Sequence, residues 1–151
     1  MPRPVKERLV SKPPLFSDFK PAGVQARNLE RMDLGLDEFE ALRLADYLNM
    51  EHAEAAREMN ISRSTFTRLI EHARAKIAKF LVEGNRLTIG GGSIHFDKNL
   101  LRCLSCGSIF SADFDNSYLS CPDCGGDELD DLARGFGHGD CCRESKNNSR
   151  R

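Results

Sequence analysis

Four cysteines in two matched pairs are the residues best suited to chemistry in this chain of 151 residues. The pairs are Cys103-Leu-Ser-Cys106-Gly and Cys121-Pro-Asp-Cys124-Gly. Two thiolates at this spacing can hold one ion, and the glycine after each pair permits a tight turn. Two such pairs supply four sulfurs, the ligand set that suits tetrahedral Zn²⁺. The spacing therefore predicts a structural metal centre at Cys103, Cys106, Cys121 and Cys124, closed to water and substrate.

Iron is the alternative to zinc, because paired Cys-X-X-Cys-Gly segments also resemble the iron-binding loops of rubredoxins. Rubredoxins place their pairs farther apart and surround them with aromatic residues, whereas this chain has no Trp and only two Tyr. We therefore expect structural Zn²⁺. Short extended segments around Leu101, Ile109–Phe110 and Tyr118–Leu119 would complete a zinc ribbon. Metal binding would supply much of the folding free energy of so small a segment.

The composition describes a soluble globular protein, with 40% hydrophobic residues, 30% charged residues and a net charge of −1. No apolar run approaches the roughly 20 residues of a membrane span. The basic N-terminus has no apolar segment after it, so we expect no secretory signal and a cytoplasmic protein. Thiols stay reduced there, and all six cysteines follow residue 100. This distribution favours metal over disulfides and indicates a second module.

The segment Glu54–Ile70 has the pattern of two short helices joined by a tight turn. Ala55 and Ala56 are small enough to let two helices approach closely. Asn60 tolerates the left-handed conformation that the turn requires. Ser62 can cap the next helix by accepting a hydrogen bond from a free backbone N–H. This pattern predicts a helix-turn-helix, in which the helix starting at Ser62 enters the DNA major groove.

The predicted recognition helix has distinct inner and outer faces. Its apolar residues recur every three or four positions, at Phe66, Leu69, Ile70, Ala73, Ile77 and Phe80. Six Arg or Lys and two acidic residues lie between Arg57 and Lys79, so positive charge is concentrated where phosphates would be contacted. The alternative is a helical hairpin with a solvated basic face. We expect DNA contacts from Arg57, Ser62, Arg63, Ser64, Thr65, Thr67, Arg68, Arg74 and Lys76.

The other elements complete a prediction of a mainly α protein. We expect helices at Asp37–Leu48, Glu51–Met59 and Ser62 to about Glu83, the last ended by Gly84-Asn85. A short hairpin or flexible joint is expected at Leu87–Phe96, around Gly90-Gly-Gly92. The predicted domains are a basic arm with the helix-turn-helix over residues 1–92, a four-cysteine zinc ribbon over 93–134 and a disordered tail over 135–151.

The disordered tail contains two further cysteines whose role the sequence leaves open. Cys141 and Cys142, with His138, could bind a metal or respond to oxidation. Because adjacent cysteines are a poor pair of ligands for one ion, we expect an unstructured tail with spare thiols.

The N-terminal region, over roughly residues 1–92, resembles a prokaryotic family of predicted DNA-binding proteins, the domain of unknown function with family number 134. Its helix-turn-helix looks like region 4 of sigma factors, which reads the −35 promoter element. The resemblance therefore implies a DNA-binding role. It is carried by Met1-Pro-Arg-Pro4, Phe19-Lys-Pro-Ala-Gly-Val24, the segment from Leu36 to Asp46, and the segment from Glu54 to Phe66.

This chain departs from the family pattern at several positions. A hydroxyl residue often stands at the position of Gly35, a glycine at Asn60 and a longer polar residue at Ser64. The basic cluster Lys6-Glu-Arg8 lacks the cysteine that is often present. We expect the fold to tolerate these changes, whereas base preference should change because Ser64 reaches less far than glutamine.

Three functional hypotheses follow. The first is a sequence-specific DNA-binding transcriptional regulator, whose partners would be double-stranded DNA and, for symmetric operators, a second copy of the chain. The second is an adaptor that binds RNA polymerase or another protein of the transcription machinery. The third is a metal or redox sensor that uses the cysteines. An enzyme is not expected, because His52, His72, His95 and His138 do not cluster in sequence and no nucleophile–base motif is present. No membrane association is expected.

Overall fold

The computed structural model describes residues 7–114 and 120–149, and it divides into two compact units. The first unit consists of the residues up to Leu9 together with Phe16–Ile94. The second consists of Val10–Leu15 together with the residues from His95 onward. The first six residues of the basic arm and the predicted extended segment at Tyr118–Leu119 lie outside the described residues.

The prediction of a mainly α protein is wrong, because the described residues form three β-sheets alongside the helices and the fold is mixed α/β. The strands are β1 (Arg8–Val10), β2 (Asp18–Phe19), β3 (Arg31–Leu34), β4 (Arg86–Ile89), β5 (Ile94–Phe96), β6 (Asn99–Cys103), β7 (Ile109–Ala112) and β8 (Leu129–Asp131). The α-helices are α1 (Leu36–Leu42), α2 (His52–Glu58), α3 (Arg63–Glu83), α4 (Leu132–Gly135) and α5 (Asp140–Ser149). All eight of these strands have five residues or fewer, which is too short for a long alternating pattern, so their signal in the sequence is weak.

The first unit is built around a three-stranded sheet in the order β2-β4-β3. β2 is antiparallel to β4, with Phe19 opposite Leu87. β3 is parallel to β4, with Met32 opposite the same Leu87. Parallel strands need a crossover connection, and here the crossover contains α1, α2 and α3. The predicted helices are therefore inserted between two strands of one sheet.

The hairpin predicted at Leu87–Phe96 does not form. β4 pairs with β2 and β3, whereas β5 pairs with β1. Gly91 and Gly92 between them have φ angles of 76° and 92°, and the Gly91 carbonyl accepts a hydrogen bond from the Leu36 N–H. The glycines therefore turn the chain from one sheet to another, which alternation of apolar residues does not reveal.

The helices of the first unit enclose one apolar cluster. α1 is shorter than predicted, because Arg43–Tyr47 continue from it as a π-helical segment. α3 ends at Glu83, and its C-cap is Gly84 in a left-handed conformation with a φ of 68°, which confirms the predicted end of the helix. Its apolar stripe faces inward through Phe66, Leu69, Ile70 and Ala73, all of them buried. Phe66, Leu69 and Ile70 pack in one cluster with Ala41, Leu44, Ala55, Ala56 and Met59.

The second unit contains an antiparallel sheet in the order β7-β6-β8. Buried Asn99 is the first residue of the central strand β6, and its side-chain oxygen accepts hydrogen bonds from Leu100 N at 2.8 Å and Ala133 N at 3.0 Å. Its amide nitrogen donates to Asp131 Oδ1 at 2.7 Å. The N-terminal segment Val10–Leu15 belongs to this unit and is held by two hydrogen bonds. Asp97 N donates to Val10 O at 2.8 Å, and Arg102 Nη2 donates to Leu15 O at 3.1 Å.

The disordered tail predicted from residue 135 is also wrong over its described part. α4 extends to Gly135, and α5 begins at Asp140, a residue whose acidic side chain suits the first turn of a helix. Cys142 is fully buried, and Arg143 Nε donates to Phe114 O at 2.9 Å. These tertiary contacts hold a helix that glycine-rich local sequence does not favour.

An ion pair links α3 to the start of α1. Lys76 Nζ lies 2.6 Å from Glu38 Oε1 and donates to Asp33 O at 3.0 Å. The Glu38 side chain is 11% exposed, so losing the lysine leaves a largely desolvated carboxylate with fewer partners. We expect Lys76→Met to lower the free energy of unfolding by about 1–2 kcal/mol in urea denaturation.

The matched control for this substitution is Lys79→Met on the same helix. Within the described residues, Lys79 forms one ion pair, with Glu83 at 3.9 Å, and both side chains are more than half exposed. Its replacement should change stability by less than about 0.5 kcal/mol. Equal losses for the two lysines would show that the Lys76–Glu38 pair has no structural role.

Among the described residues, no helix is both long enough and apolar enough to span a bilayer.

Candidate nucleic-acid interface and metal centre

The turn between α2 and α3 has the local geometry expected from its sequence. Asn60 has a φ of 58°, so the predicted left-handed residue is confirmed. Ser62 is the N-cap of α3, and its hydroxyl oxygen accepts a hydrogen bond from Thr65 N at 3.2 Å, which confirms the predicted cap. The same hydroxyl donates to Thr65 Oγ1 at 2.8 Å. Both Ser62 and Thr65 therefore hold the start of α3.

We expect Ser62→Ala to destabilise the protein by about 1 kcal/mol, because it removes the side chain that satisfies the Thr65 N–H. Thermal or urea denaturation would measure this loss. Ser64→Ala is the matched control, since Ser64 is exposed and its one side-chain hydrogen bond among the described residues is with Ser62 Oγ at 3.3 Å. A Ser64 variant as unstable as the Ser62 variant would contradict the capping role.

Two contacts fix α2 against α3. Ala55 and Ala56 are buried and allow the close approach that the sequence predicted. The His52 ring meets Phe66 edge-on, with centroids 5.3 Å apart, and its Nδ1 lies 3.0 Å from Thr67 Oγ1. The Thr67 hydroxyl, expected to contact DNA, is therefore used in helix packing.

Three of the expected DNA contacts are arginines on the exposed surface around the turn. Arg57 lies in the last turn of α2, and Arg63 and Arg68 lie in the first two turns of α3. All three are exposed, and none forms an ion pair with another residue in the described part of the chain. Ser64 is exposed between the two α3 arginines. This group of Arg57, Arg63, Ser64 and Arg68 is called the turn-end cluster below.

The other two expected basic contacts are engaged within the protein. Arg74 Nη2 and Nε bind Asp46 at 2.7 and 3.1 Å, and this hydrogen bonding lowers the pKa of the Asp46 carboxyl. Lys76 is paired with Glu38. Their charges are locally compensated, so the uncompensated positive charge of the predicted set is concentrated in the turn-end cluster.

The four predicted cysteine ligands come together in the second unit. Their sulfurs all lie within 4.8 Å of one another. Cys103 Sγ is 3.5 Å from Cys124 Sγ, and Cys106 Sγ is 3.5 Å from Cys121 Sγ. Sulfurs bound to one Zn²⁺ at about 2.3 Å in a tetrahedron would be about 3.8 Å apart. The cluster therefore has the size of a site for one metal ion.

The two cysteine pairs have the same backbone turn. Cys103 N donates to Ser108 O and Cys121 N donates to Gly126 O, both at 2.8 Å. The carbonyls of the same two cysteines accept from Gly107 N and Gly125 N, glycines with φ of 79° and 75°. This repeated turn is the reason that glycine follows each pair, and it presents both pairs of sulfurs to a common centre.

The surroundings of the four cysteines favour the thiolate form of Cys103 but disfavour a second thiolate at Cys106. The backbone N–H of Cys106 is the main cause that lowers the pKa of Cys103 to about 6. At Cys106 the Ser108 N–H acts in the same direction, but the neighbouring thiols, Cys121 first, raise the pKa to about 12. Four thiolates this close repel one another unless a cation neutralises them, which is what a bound metal ion would do.

The second unit contains another group of ligand-type residues. The sequence indicated that His138, Cys141 and Cys142 could bind a metal but favoured spare thiols, and it gave no indication of His95. The ligand atoms of these four residues lie within 4.8 Å of one another. His95 lies in β5, His138 precedes α5, and Cys141 and Cys142 lie in the first turn of α5. The signal available in sequence was the run His138-Gly-Asp-Cys-Cys142; His95 is distant and only the fold brings it close.

Comparisons with known proteins place most of the chain in one family. Residues 1–97 match the family model described as protein of unknown function DUF134. A UPF0251 protein of Chloroherpeton thalassium is 48% identical over 132 residues, covering 87% of both chains. One from Moorella thermoacetica is 38% identical and covers 97% of this chain and 96% of the relative.

A UPF0251 protein of Dehalococcoides mccartyi is 50% identical over 97 residues, which cover 64% of this chain and 83% of the relative. These names state no activity. No solved structure matches the chain significantly. The match over residues 1–97 and the similarity to the full-length relatives show that the chain belongs to the DUF134/UPF0251 family.

Proposed function

We propose that this protein is a sequence-specific DNA-binding protein that acts as a transcriptional regulator. In this proposal α2 and α3 form a helix-turn-helix, and the N-terminal half of α3 enters the major groove. We further propose that it works in the cytoplasm and that the four-cysteine module is a structural zinc ribbon. Its ligand set of four sulfurs leaves no position for water or substrate.

The observation that carries the proposal is the position of the turn-end cluster. Of the six basic residues from Arg57 to Lys79, Arg74, Lys76 and Lys79 are ion-paired with acidic residues. The three cations without such a pair in the described residues are Arg57, Arg63 and Arg68, all near the turn. If the basic face of α3 served only solvation, there would be no reason for the unpaired arginines to lie near the turn and the ion-paired residues farther along the helix. DNA contact, in contrast, needs unpaired cations at the start of the recognition helix.

The backbone at the start of α3 adds to this surface. Ser62 occupies the N-cap, and α3 runs for 21 residues, so a helix dipole directs partial positive charge toward the turn. A phosphate at this position would meet free N–H groups as well as the arginines. With 3.6 residues per turn, Ser64 and Arg68 lie opposite the buried side of α3 formed by Phe66, Leu69 and Ile70, and Arg63 is exposed at the first position of the helix.

The roles within the cluster differ. Arg63, Ser64 and Arg68 are on α3 and are proposed to reach base edges, for which arginine to guanine is the commonest specific contact. Arg57 is on α2 and is proposed to bind phosphate. Ser62, Thr65 and Thr67 support the helix, since their hydroxyls already have partners within the protein. Arg74 and Lys76 are proposed to contribute little beyond their ion pairs.

The test is fluorescence anisotropy of the zinc-loaded full chain with DNA from its own promoter and with random DNA, across a salt series. The proposal requires promoter-selective binding whose affinity falls with salt. Folded protein that binds neither DNA would contradict it and would favour the adaptor that binds the transcription machinery. Equal binding to both DNAs would contradict promoter-selective regulation.

A further inference from the structure

We infer that His95, His138, Cys141 and Cys142 form a second metal site, separate from the four-cysteine centre, that takes one Zn²⁺ ion or a similar divalent metal. Each residue contributes one ligand atom, and the four atoms lie within 4.8 Å of one another. The cluster shares no residue with the four-cysteine centre, and all four residues belong to the second unit. Two imidazoles and two thiolates are one of the common ligand sets of structural zinc.

The three distances among His138, Cys141 and Cys142 are close to the edges of a zinc tetrahedron. Cys141 Sγ and Cys142 Sγ are 3.9 Å apart. His138 Nδ1 lies 3.2 Å from Cys141 Sγ and 3.7 Å from Cys142 Sγ. Zn–S bonds of about 2.3 Å and Zn–N bonds of about 2.0–2.1 Å give edges of about 3.8 Å between sulfurs and about 3.6 Å between nitrogen and sulfur.

The adjacency of Cys141 and Cys142 was the reason to expect spare thiols in this segment. The helix removes that objection, because in the first turn of α5 both sulfurs reach the same His138 nitrogen. The sulfurs are unbonded, since both cysteines are free. The same fold therefore presents them as two separate ligands.

The surroundings hold the ligand atoms in place. Cys142 is fully buried, and the Phe96 N–H donates to its sulfur at 3.1 Å. The His138 ring meets the Phe96 ring edge-on, with centroids 5.1 Å apart. Gly137 and Gly139 flank His138 with φ of 79° and 144°, so the backbone can turn the imidazole toward the cysteines. Backbone donors and packed rings of this kind orient metal ligands.

The site would connect distant parts of the second unit. His95 lies in β5, whereas the other ligands lie at the start of α5, and the whole four-cysteine centre lies between them in sequence. A bound ion would close this loop and fasten α5 to β5. Four protein ligands fill the coordination sphere, so the expected role is structural.

The test is metal content and cobalt spectroscopy on the full chain purified under reducing conditions. Elemental analysis should find two zinc ions per chain. Titration of metal-free protein with Co²⁺ should show two equivalents with different ligand-field spectra, one for four sulfurs and one for two sulfurs and two nitrogens. This readout needs no variant. Saturation at one equivalent, or a Cys141–Cys142 disulfide in the metal-loaded protein, would overturn the inference.

Substitutions then assign the second ion to its ligands. His138→Asn and Cys141→Ala should each leave one zinc ion and only the four-sulfur cobalt spectrum, which also shows that the second unit remains folded. His72→Asn, at an exposed histidine of α3, should keep both ions. Variants at His138 and Cys141 that retain two ions and both spectra would overturn the assignment.

Discussion

Replacing Arg63 and Arg68 together with alanine is expected to abolish sequence-selective DNA binding while leaving the fold intact. Each arginine that reads a base pair contributes about 1–3 kcal/mol of discrimination, so the pair should cost about 30-fold or more in affinity for the preferred sequence. Both side chains are exposed and have no ion pair in the described residues, so their loss should not destabilise the protein. Anisotropy with preferred and random DNA measures the effect.

Arg74→Ala is the matched control, because Arg74 is on the same helix and has the same side chain. Its guanidinium is bound by Asp46 through two hydrogen bonds. We expect less than about a threefold loss of affinity. If Arg74→Ala weakens binding as much as the double substitution, then nonspecific charge on α3 explains the binding and the base-reading role of the turn-end cluster is wrong.

Arg57→Ala should behave differently from both. A phosphate contact carries no sequence information, so affinity should fall evenly for preferred and random DNA. The slope of log affinity against log salt concentration should decrease by about 1. A change of base preference in this variant would contradict the division of roles between α2 and α3.

Loss of metal from the four-cysteine centre is expected to unfold the sheet that bears it. Cys121 is buried and its sulfur lies 3.5 Å from that of Cys106, so Cys121→Ser removes a ligand and leaves three crowded thiols. Structural zinc sites supply about 10–16 kcal/mol of binding free energy in small peptides, which matches or exceeds the roughly 5–15 kcal/mol by which native domains are stable. Hydrogen exchange should show lost protection in β6, β7 and β8.

Ser105→Ala is the control for this substitution, since Ser105 is exposed in the turn between Cys103 and Cys106 and is not a ligand. It should keep the metal and the protection. Hydrogen exchange of α3 peptides gives a second control, because the apolar cluster around Phe66 contains no cysteine. A Cys121→Ser protein that keeps β6 protected as strongly as the wild type would show that the centre does not hold the sheet.

Local signals in the sequence predicted the parts of the fold that local chemistry determines. Asn60, Ser62 and Gly84 each have the backbone role expected of their side chains. The cysteine spacing predicted which four sulfurs meet, because repeated turns followed by glycine bring each pair together. The apolar stripe of α3 predicted its buried face.

Long-range pairing explains what the sequence did not predict. β3 and β4 are parallel and separated by all three helices of the crossover, so neither reads as half of a hairpin. β8 has three residues, two of them aspartates, and its pairing with β6 gives no local pattern. The helix α5 and its approach to His95 depend on tertiary contacts, so the segment from residue 140 resembled a disordered tail.

Ion pairing also changes how the basic residues are interpreted. From the sequence, Arg74 and Lys76 were predicted to contact DNA just as Arg63 and Arg68 were, because the charge of a residue does not show which carboxylates lie near it in the fold. Asp46 and Glu38 are distant in sequence from their partners and are brought close by the packing of α1 and the π-helical segment near α3. The proposed interface is therefore smaller and nearer the turn than composition suggests.

The most direct test of sequence-specific DNA binding is selection from a random duplex library by the zinc-loaded full chain, with the Arg63→Ala/Arg68→Ala protein run in parallel. The proposal predicts one enriched motif for the wild-type protein and no enrichment for the variant. Protein shown to be folded and metal-loaded that enriches no motif, or a variant that enriches the same motif as the wild type, would contradict the proposed function.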